Sequence, residues 1–126
     1  MKEIINTDKA PSPVGPYNQS IKSGKLLFVS GQIPIDPATG VLVEGSIGEE
    51  TEQVMKNLQA ILTEAGLTFE HVLKASVFVS DMNNYSKINA VYARYFNEET
   101  APARELVEVA NLPKFVNVEI SVIASE

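Results

Sequence analysis

The chain has 126 residues, of which 44% are hydrophobic, and this predicts one domain, residues 1–126, with a real core. It has no cysteine and one histidine, which excludes disulfides, thiolate metal sites and a cysteine nucleophile, and argues against an all-protein zinc site. Its net charge of −6 argues against nucleic acid and anionic membranes as partners.

The N-terminal segment is polar and then rich in turn-forming residues. MKEIINTDKAPS has no apolar core of signal-peptide length, and no stretch of the chain is long and apolar enough for a bilayer. The sequence therefore predicts a cytoplasmic protein. Three prolines and a glycine in Ala10–Pro16 predict a rigid, non-helical lead-in to Tyr17.

Two strands and a hairpin follow. Asn18–Lys22 and Lys25–Gly31 are the predicted strands, and Ser23-Gly24 is a two-residue hairpin signal between them. Two prolines in Gln32–Gly40 predict a loop, because proline cannot donate to a sheet ladder. Val41–Val43 is a candidate short strand.

The segment Ser46–Gly66 predicts the first helix. Ser46 and Glu49 form a capping box, and Gly66 is a natural residue just past the helix end. Apolar and small residues recur at three- and four-residue steps and predict one buried face. They are Ile47, Thr51, Val54, Leu58, Ile61, Leu62 and Ala65.

The second half alternates strands with one more helix. A strand over Val72–Ser80 leads through an N-cap region at Asp81–Asn84 to a helix over Tyr85–Glu98. Two strands follow, one opening at Arg104 and one over Asn117–Ala124. The side chains expected to point inward are Leu73, Ala75, Val77 and Val79 on the strand, and Ile88, Val91, Tyr92, Tyr95 and Phe96 on the helix.

This order of elements predicts an α+β fold, a single mixed β-sheet with both helices packed on one face, because each helix has only one apolar side. The opposite face of the sheet is then uncovered. We expect it to carry Leu106 and Ile123 beside Arg104 and Glu119. A bare, partly apolar sheet face predicts an oligomer.

Arg104 and Glu119 are the two candidate catalytic residues. Arg104 is either an ordinary edge-strand arginine or a clamp for a substrate carboxylate, which its planar fork can bind in one orientation. Glu119 lies between Val118 and Ile120 inside a strand. It is either a structural partner of a cation or a carboxylate that orients water and moves protons.

Weaker signals surround these two residues. Tyr17 either packs or contacts a ligand, and Ser30-Gly31 at a strand end is either a turn or a site for a ligand oxygen. Asn89 on the second helix is either a solvated residue or part of a pocket. His71 is interpreted as a surface residue, because nothing near it in sequence has the spacing of metal ligands. No nucleotide-binding loop or serine-nucleophile motif is present.

Short motifs along almost the whole chain resemble the reactive-intermediate deaminase (Rid, or YjgF) family. The order and spacing of these pieces make the resemblance specific, although each is short. They are Gly15-Pro16-Tyr17, Phe28 to Pro34, Asp36 to Gly40, Asn57-Leu58, Val77-Phe78-Val79 with Asp81-Met82-Asn83, and Pro102-Ala103-Arg104 with Val107, Leu112 and Val118-Glu119-Ile120.

The resemblance implies a chorismate-mutase-like fold, a homotrimer with sites between subunits, and no cofactor. It implies an enzyme of metabolite damage control, a hydrolase that converts 2-imino acids, such as 2-iminobutanoate and 2-iminopropanoate from pyridoxal-phosphate dehydratases, to 2-keto acids and ammonia. Arg104 would hold the substrate carboxylate and Glu119 would position the attacking water. The pocket would be lined by Tyr17, Ser30, Gly31, Asn89 and Leu106.

The chain departs from the family pattern at three positions, and two alternative functions are considered. Glu105 replaces a small or apolar residue, Leu106 a common cysteine, and Asn111 a common basic residue. The changes at Glu105 and Leu106 raise the alternative of a regulatory protein that binds 2-keto acids through Arg104 without turnover. RNA cleavage, an older label for some relatives, is disfavoured by the acidic balance.

Overall fold

The computed structural model describes all residues 1–126 and contains one six-stranded sheet, a two-stranded hairpin and two α-helices. The large sheet has the order β1-β2-β3-β8-β6-β7, in which only β6 and β7 pair in parallel. The elements are β1 (Lys2–Ile5), β2 (Ser20–Ser23), β3 (Leu26–Gln32), β4 (Ile35–Asp36), β5 (Val41–Leu42), α1 (Ile47–Glu64), β6 (Val72–Val79), α2 (Tyr85–Tyr92), β7 (Ala103–Glu108) and β8 (Val118–Ser125).

The first helix forms as its sequence predicts. The Ser46 hydroxyl accepts a hydrogen bond from the Glu49 amide, and the Glu49 carboxylate accepts one from the Ser46 amide. Gly66 follows the helix with φ of 76°, a conformation that glycine adopts without steric cost. The predicted face is buried from Thr51 to Leu62.

Both helices pack on one face of the sheet, which confirms the predicted α+β architecture. α1 packs against β3 and β8 and against α2. The core between these layers is a single cluster of 21 buried residues that includes Leu58, Ile61, Val77 and Ile120. No helix is long and apolar enough to cross a membrane.

The structure differs from the sequence predictions in four elements. β1 was not predicted, because only its last two residues are apolar and three of its four residues are exposed. The predicted loop after β3 contains β4, which pairs with β5. α2 ends at Tyr92 rather than Glu98 and continues as a 3₁₀ turn. Leu73 is exposed, because a register shift between Val72 and Lys74 reverses the alternation there.

The uncovered sheet face carries a different set of residues from the one predicted. Arg104 pairs with buried Ala75, so Arg104 and Leu106 face the helices, and Leu106 packs against the core. Glu119 pairs with Phe78 on the opposite face. Placing Arg104 and Leu106 on the uncovered face was therefore wrong. A row of apolar side chains does cross that face on four adjacent strands: Ile4, Ile21, Phe28 and Ile123.

Candidate functional site

Arg104 lies on the edge strand β7 and is held by three residues of α2. Its Nη1 donates to Asn89 Oδ1 at 2.8 Å, and its Nη2 donates to the Tyr85 hydroxyl at 3.2 Å. Its Cζ lies 4.9 Å from the centre of the Tyr92 ring. These residues occupy positions i, i+4 and i+7 of one helical face, and we call them the α2 triad (Tyr85, Asn89 and Tyr92).

The positive charge of Arg104 has no anionic partner. All three salt bridges in the structure involve other cations: Lys22 with Glu126, Lys74 with Glu105, and Arg94 with Glu52. The groups that hold Arg104 are neutral oxygens and aromatic rings. Three of the five N–H donors of the guanidinium remain free for a planar anion such as a carboxylate.

Glu119 lies in a separate cavity of about 420 Å³ on the uncovered side of the sheet. We call this cavity the Glu119 pocket, and define it by Tyr17, Gln19, Ser30, Gly31, Lys114 and Glu119. Three of the predicted site residues, Tyr17, Ser30 and Gly31, therefore lie around Glu119. Asn89, Leu106 and Arg104 do not.

A β-bulge places Ser30 and Gly31 beside Glu119. Val29 pairs with Val122 and Gln32 with Ile120, so β3 has one more residue than β8 between these pairs. A Cβ added at Gly31 would lie 2.9 Å from Cδ of Glu119 and 3.1 Å from its Cγ. Glycine is thus the residue that lets the Glu119 side chain lie directly against the backbone of β3.

The Glu119 carboxylate is half-buried, and burial raises its pKa above the ordinary value of 4.5. It forms no hydrogen bond or salt bridge within the chain, so the alternative of a structural ion pair with Arg104 or a lysine is absent from this structure. A carboxylate with a raised pKa holds a proton more readily than an exposed carboxylate does, which suits it to accept a proton and to release it again.

Two buried amides that sequence reasoning missed shape the wall of this pocket. Gln19 Nε2 donates to the carbonyls of Thr7, Ala10 and Pro11, which fixes the proline-rich lead-in. Asn57 Nδ2 donates to the carbonyls of Ile33 and Ile35 after β3. Both bond to main-chain carbonyls distant in sequence, and no local pattern signals such contacts.

Lys114 and Ser30 contribute further polar groups at the Glu119 pocket. Lys114 and the next residue, Phe115, both hold positive φ, of 55° and 56°, a region that non-glycine residues seldom adopt. The Ser30 hydroxyl donates to the carbonyl of Asn18 at 2.6 Å, which leaves its oxygen as an acceptor. The role of Lys114 had no sequence signal.

The chain alone does not bring Arg104 and Glu119 together. On β6, Arg104 pairs with Ala75 and Glu119 pairs with Phe78, on opposite faces of the sheet. The backbones of Arg104 and Glu119 are offset by three residues along β6, which is about 10 Å. They are also two strands apart, which adds about 10 Å across the sheet. One small ligand cannot touch both groups within one chain.

Glu105, the departure nearest to Arg104, has its charge engaged elsewhere. Strand alternation turns it to the other face of β7, where it accepts a hydrogen bond from Ser76 and pairs with Lys74 at 3.1 Å. Its hydrogen bonds with Ser76 and Lys74 lower its pKa.

His71 caps a 3₁₀ turn by accepting from the Thr68 amide, and no group of three or more metal-ligating side chains occurs.

The chain matches known proteins over nearly its whole length. Residues 7–126 match the family model described as Endoribonuclease L-PSP. A RutC family protein of Pyrococcus horikoshii is 53% identical over 98% of each chain. The structure of a Rid family protein of unknown function, YyfA from Yersinia pestis, is 48% identical with a TM-score of 0.96 and covers each chain fully.

A third relative was solved with a ligand. The structure of E. coli TdcF with bound serine is 40% identical, with a TM-score of 0.92 and 98% of each chain covered. Because the chain superimposes closely on these structures and on YjgF from E. coli, it has the chorismate-mutase-like fold of the YjgF structures. A family model that matches almost the whole chain, with relatives of this identity, shows that the protein belongs to the Rid (YjgF) family.

Proposed function

We propose that this protein, a single Rid-family domain, hydrolyses reactive 2-imino acids to 2-keto acids and ammonia. The observation that carries the proposal is a pair of charges without partners. Arg104 is a cation held by neutral groups, and Glu119 is a desolvated carboxylate in a pocket. A 2-imino acid has a carboxylate, which a cation can bind, and beside it a reactive C=N carbon, to which a water activated by a carboxylate can add.

The reaction assigns one task to each residue. Arg104 holds the substrate carboxylate through its free N–H donors. Glu119 takes a proton from water as the oxygen adds to the imine carbon and passes it to the nitrogen, which gives a carbinolamine. It then takes the hydroxyl proton and gives it to the nitrogen as the C=O bond forms, the C–N bond breaks and ammonia leaves. Water supplies the oxygen of the 2-keto acid, so the step needs no cofactor. The raised pKa of Glu119 brings its proton exchange closer to neutral pH.

The separation of the two residues supports a site formed between copies of the chain. Arg104 and Glu119 lie on opposite faces of the sheet in one chain, so one substrate reaches both only if two chains contribute. The apolar row on the uncovered face, in which Phe28 is 43% exposed, supports burial against a second copy. We propose a homotrimer, in which three such sites close by symmetry.

The solved relative with a ligand supports the substrate class. The TdcF structure contains serine, an amino acid with an α-carboxylate. A 2-imino acid has the same carboxylate next to the reacting carbon. In a site shared between two chains, one chain would contribute Tyr17, Ser30 and Gly31 beside Glu119. The neighbouring chain would contribute Asn89 and Leu106 beside Arg104.

The decisive experiment couples the protein to a threonine dehydratase and traps the released imine with semicarbazide. Micromolar wild-type protein should lower the trapped imine, and the Glu119→Gln variant should not. Unchanged imine trapping with wild-type protein would refute the deaminase. Calorimetric binding of 2-ketobutyrate without turnover would instead favour the regulatory binding protein, which the free charge of Arg104 also suits.

Subunit mixing tests the shared site. Arg104→Ala and Glu119→Gln homotrimers should each be inactive. Random mixing after unfolding and refolding should restore about a quarter of the wild-type activity, because one interface in four then has both residues. A monomer mass by light scattering at micromolar concentration, or a mixture that stays inactive, would contradict the inter-subunit site.

A further inference from the structure

The α2 triad surrounds the guanidinium of Arg104 and restricts its orientation. A guanidinium on a long side chain rotates freely about several bonds, so its fork has no fixed direction unless other groups hold it. Here both Nη atoms donate to separate acceptors, Asn89 and Tyr85, and the ring of Tyr92 lies 4.9 Å from Cζ. Two hydrogen bonds to separate acceptors, with an aromatic ring beside Cζ, are enough to restrict the plane of the guanidinium and its rotation in that plane.

The residue types in the triad hold the guanidinium without neutralising it. A carboxylate at position 85 or 89 would orient the fork equally well but would compete with the anionic ligand. The phenol and the amide are neutral acceptors, and the aromatic faces attract a cation while presenting no charge. The Tyr85 ring also lies within 5.9 Å of Cζ.

We infer that Tyr85 and Tyr92 are positioning residues for Arg104: the Tyr85 hydroxyl sets the rotation of the fork and the Tyr92 ring sets its plane. The ligand carboxylate then meets Arg104 in one orientation. This inference deepens the proposed function and rests on it for the identity of the ligand. It assigns Asn89 the same role, since its amide oxygen contacts Arg104.

The two tyrosine hydroxyls differ in a way that makes the inference testable. The Tyr85 side chain is 39% exposed, so removing its hydroxyl leaves no buried group unsatisfied and should not disturb folding. The Tyr92 hydroxyl is buried and has no hydrogen-bond partner. Tyr92→Phe should therefore keep both the fold and the ring, whereas Tyr92→Leu removes the ring that lies 4.9 Å from Arg104 Cζ.

The sequence provides a direct spectroscopic readout, because the chain has only two arginines, Arg94 and Arg104. Arg94 bonds to Glu52 on the surface. In ¹⁵N-labelled full-length protein the side-chain N–H signals of the two arginines are assigned with Arg104→Lys. Rotation of a guanidinium held by hydrogen bonds is slow, and this rotation is measured from the exchange of its Nη signals.

Tyr85→Phe is the main variant and Tyr95→Phe is its matched control. The Tyr95 hydroxyl bonds to Glu52 at 2.5 Å and does not contact Arg104. Tyr85→Phe should speed the rotation of Arg104, leave Arg94 unchanged, and weaken 2-ketobutyrate binding about three- to tenfold by calorimetry. Tyr95→Phe should leave Arg104 and binding unchanged. Tyr92→Leu, which removes the ring beside Arg104, should resemble Tyr85→Phe.

The inference is overturned if Tyr85→Phe leaves the Arg104 signals unchanged, or speeds its rotation without weakening ligand binding. It is also overturned if Tyr95→Phe affects Arg104 as much as Tyr85→Phe does. Failure of the proposed function is a separate result. In that case wild-type protein neither binds 2-ketobutyrate nor lowers trapped imine, and the arginine signals alone decide whether the α2 triad holds the fork.

Discussion

The two ends of the proposed site are built by opposite means. Arg104 is surrounded by partners: two hydrogen-bond acceptors and two aromatic rings fix it, and only its charge is left unmatched. Glu119 has no partner at all, and its surroundings act on it only by excluding water. Under the proposed function, the arginine end binds the substrate carboxylate in one geometry and the glutamate end transfers protons.

The largest effect is expected at the glutamate end. Glu119→Gln keeps the shape of the side chain but removes the anion, so imine turnover should fall about a hundredfold or more, with 2-ketobutyrate binding nearly intact. Steady-state imine trapping and calorimetry measure the two quantities. Glu105→Gln, a carboxylate on the same face already paired with Lys74, is the control and should retain turnover. An equal loss of turnover in Glu105→Gln would mean that Glu119 has no special role in proton transfer.

The position of Glu119 should matter nearly as much as its charge. In Gly31→Ala the new Cβ would collide with the Glu119 carboxylate and displace it. A displacement of about 1 Å costs on the order of tenfold to a hundredfold in turnover. Gly48→Ala is the matched control, because its nearest neighbour would lie 3.7 Å away. Wild-type turnover in Gly31→Ala would show that Glu119 needs no fixed position.

The arginine end should respond in binding. Arg104→Lys keeps the positive charge and loses the planar fork, so 2-ketobutyrate binding should weaken by about 1.5–3 kcal/mol, which is the worth of charge-assisted hydrogen bonds. Calorimetry measures this change, and thermal unfolding should show an intact fold. A variant that binds as tightly as the wild type would mean that only the charge of Arg104 matters.

The smallest expected effect is on stability, and its sign follows from the pKa of Glu119. Burial raises the folded-state pKa above 4.5, so the protonated form is favoured in the folded protein. The resulting stability is fully present below the unfolded pKa and is lost as pH rises through the raised folded value.

Glu119→Gln cannot ionise and should therefore melt above the wild type at neutral pH, with the difference vanishing in acid. Scanning calorimetry across this pH range measures it. A lower melting temperature for Glu119→Gln at neutral pH would instead identify Glu119 as a structural residue. In the wild type, turnover should fall as pH drops through the raised pKa, because the anion is then lost.

Local sequence patterns predicted the helices and strands that have one apolar and one polar face. α1 was predicted closely because a capping box, a long apolar face and a terminal glycine agree. β8 was predicted because its buried residues alternate without interruption. β7 gave less information, since each of its faces mixes a charge with an apolar residue. Its face was therefore assigned wrongly, and with it the side of the sheet on which Arg104 lies.

The residues around the site were predictable in part. Tyr17, Ser30, Gly31 and Glu119 share one pocket, as a single site would require. Gln19 and Asn57 were missed because buried amides act through carbonyls distant in sequence. The α2 triad was missed as a unit because its members are ordinary helix residues until β7 is placed beside them.

The extra residue in β3 constrains how this chain can vary by insertion or deletion. Before the bulge the inward positions are Leu27 and Val29, and after it the inward position is Gln32, an odd number of residues further on. Loss of one residue here would put Gln32 two positions after Val29, so a regular strand would keep the inward face but would lose the bulge that places Ser30 and Gly31 beside Glu119. Descendants of this sequence are therefore expected to change length in the surface turns around β3, while the Ser30-Gly31 step keeps its residue count.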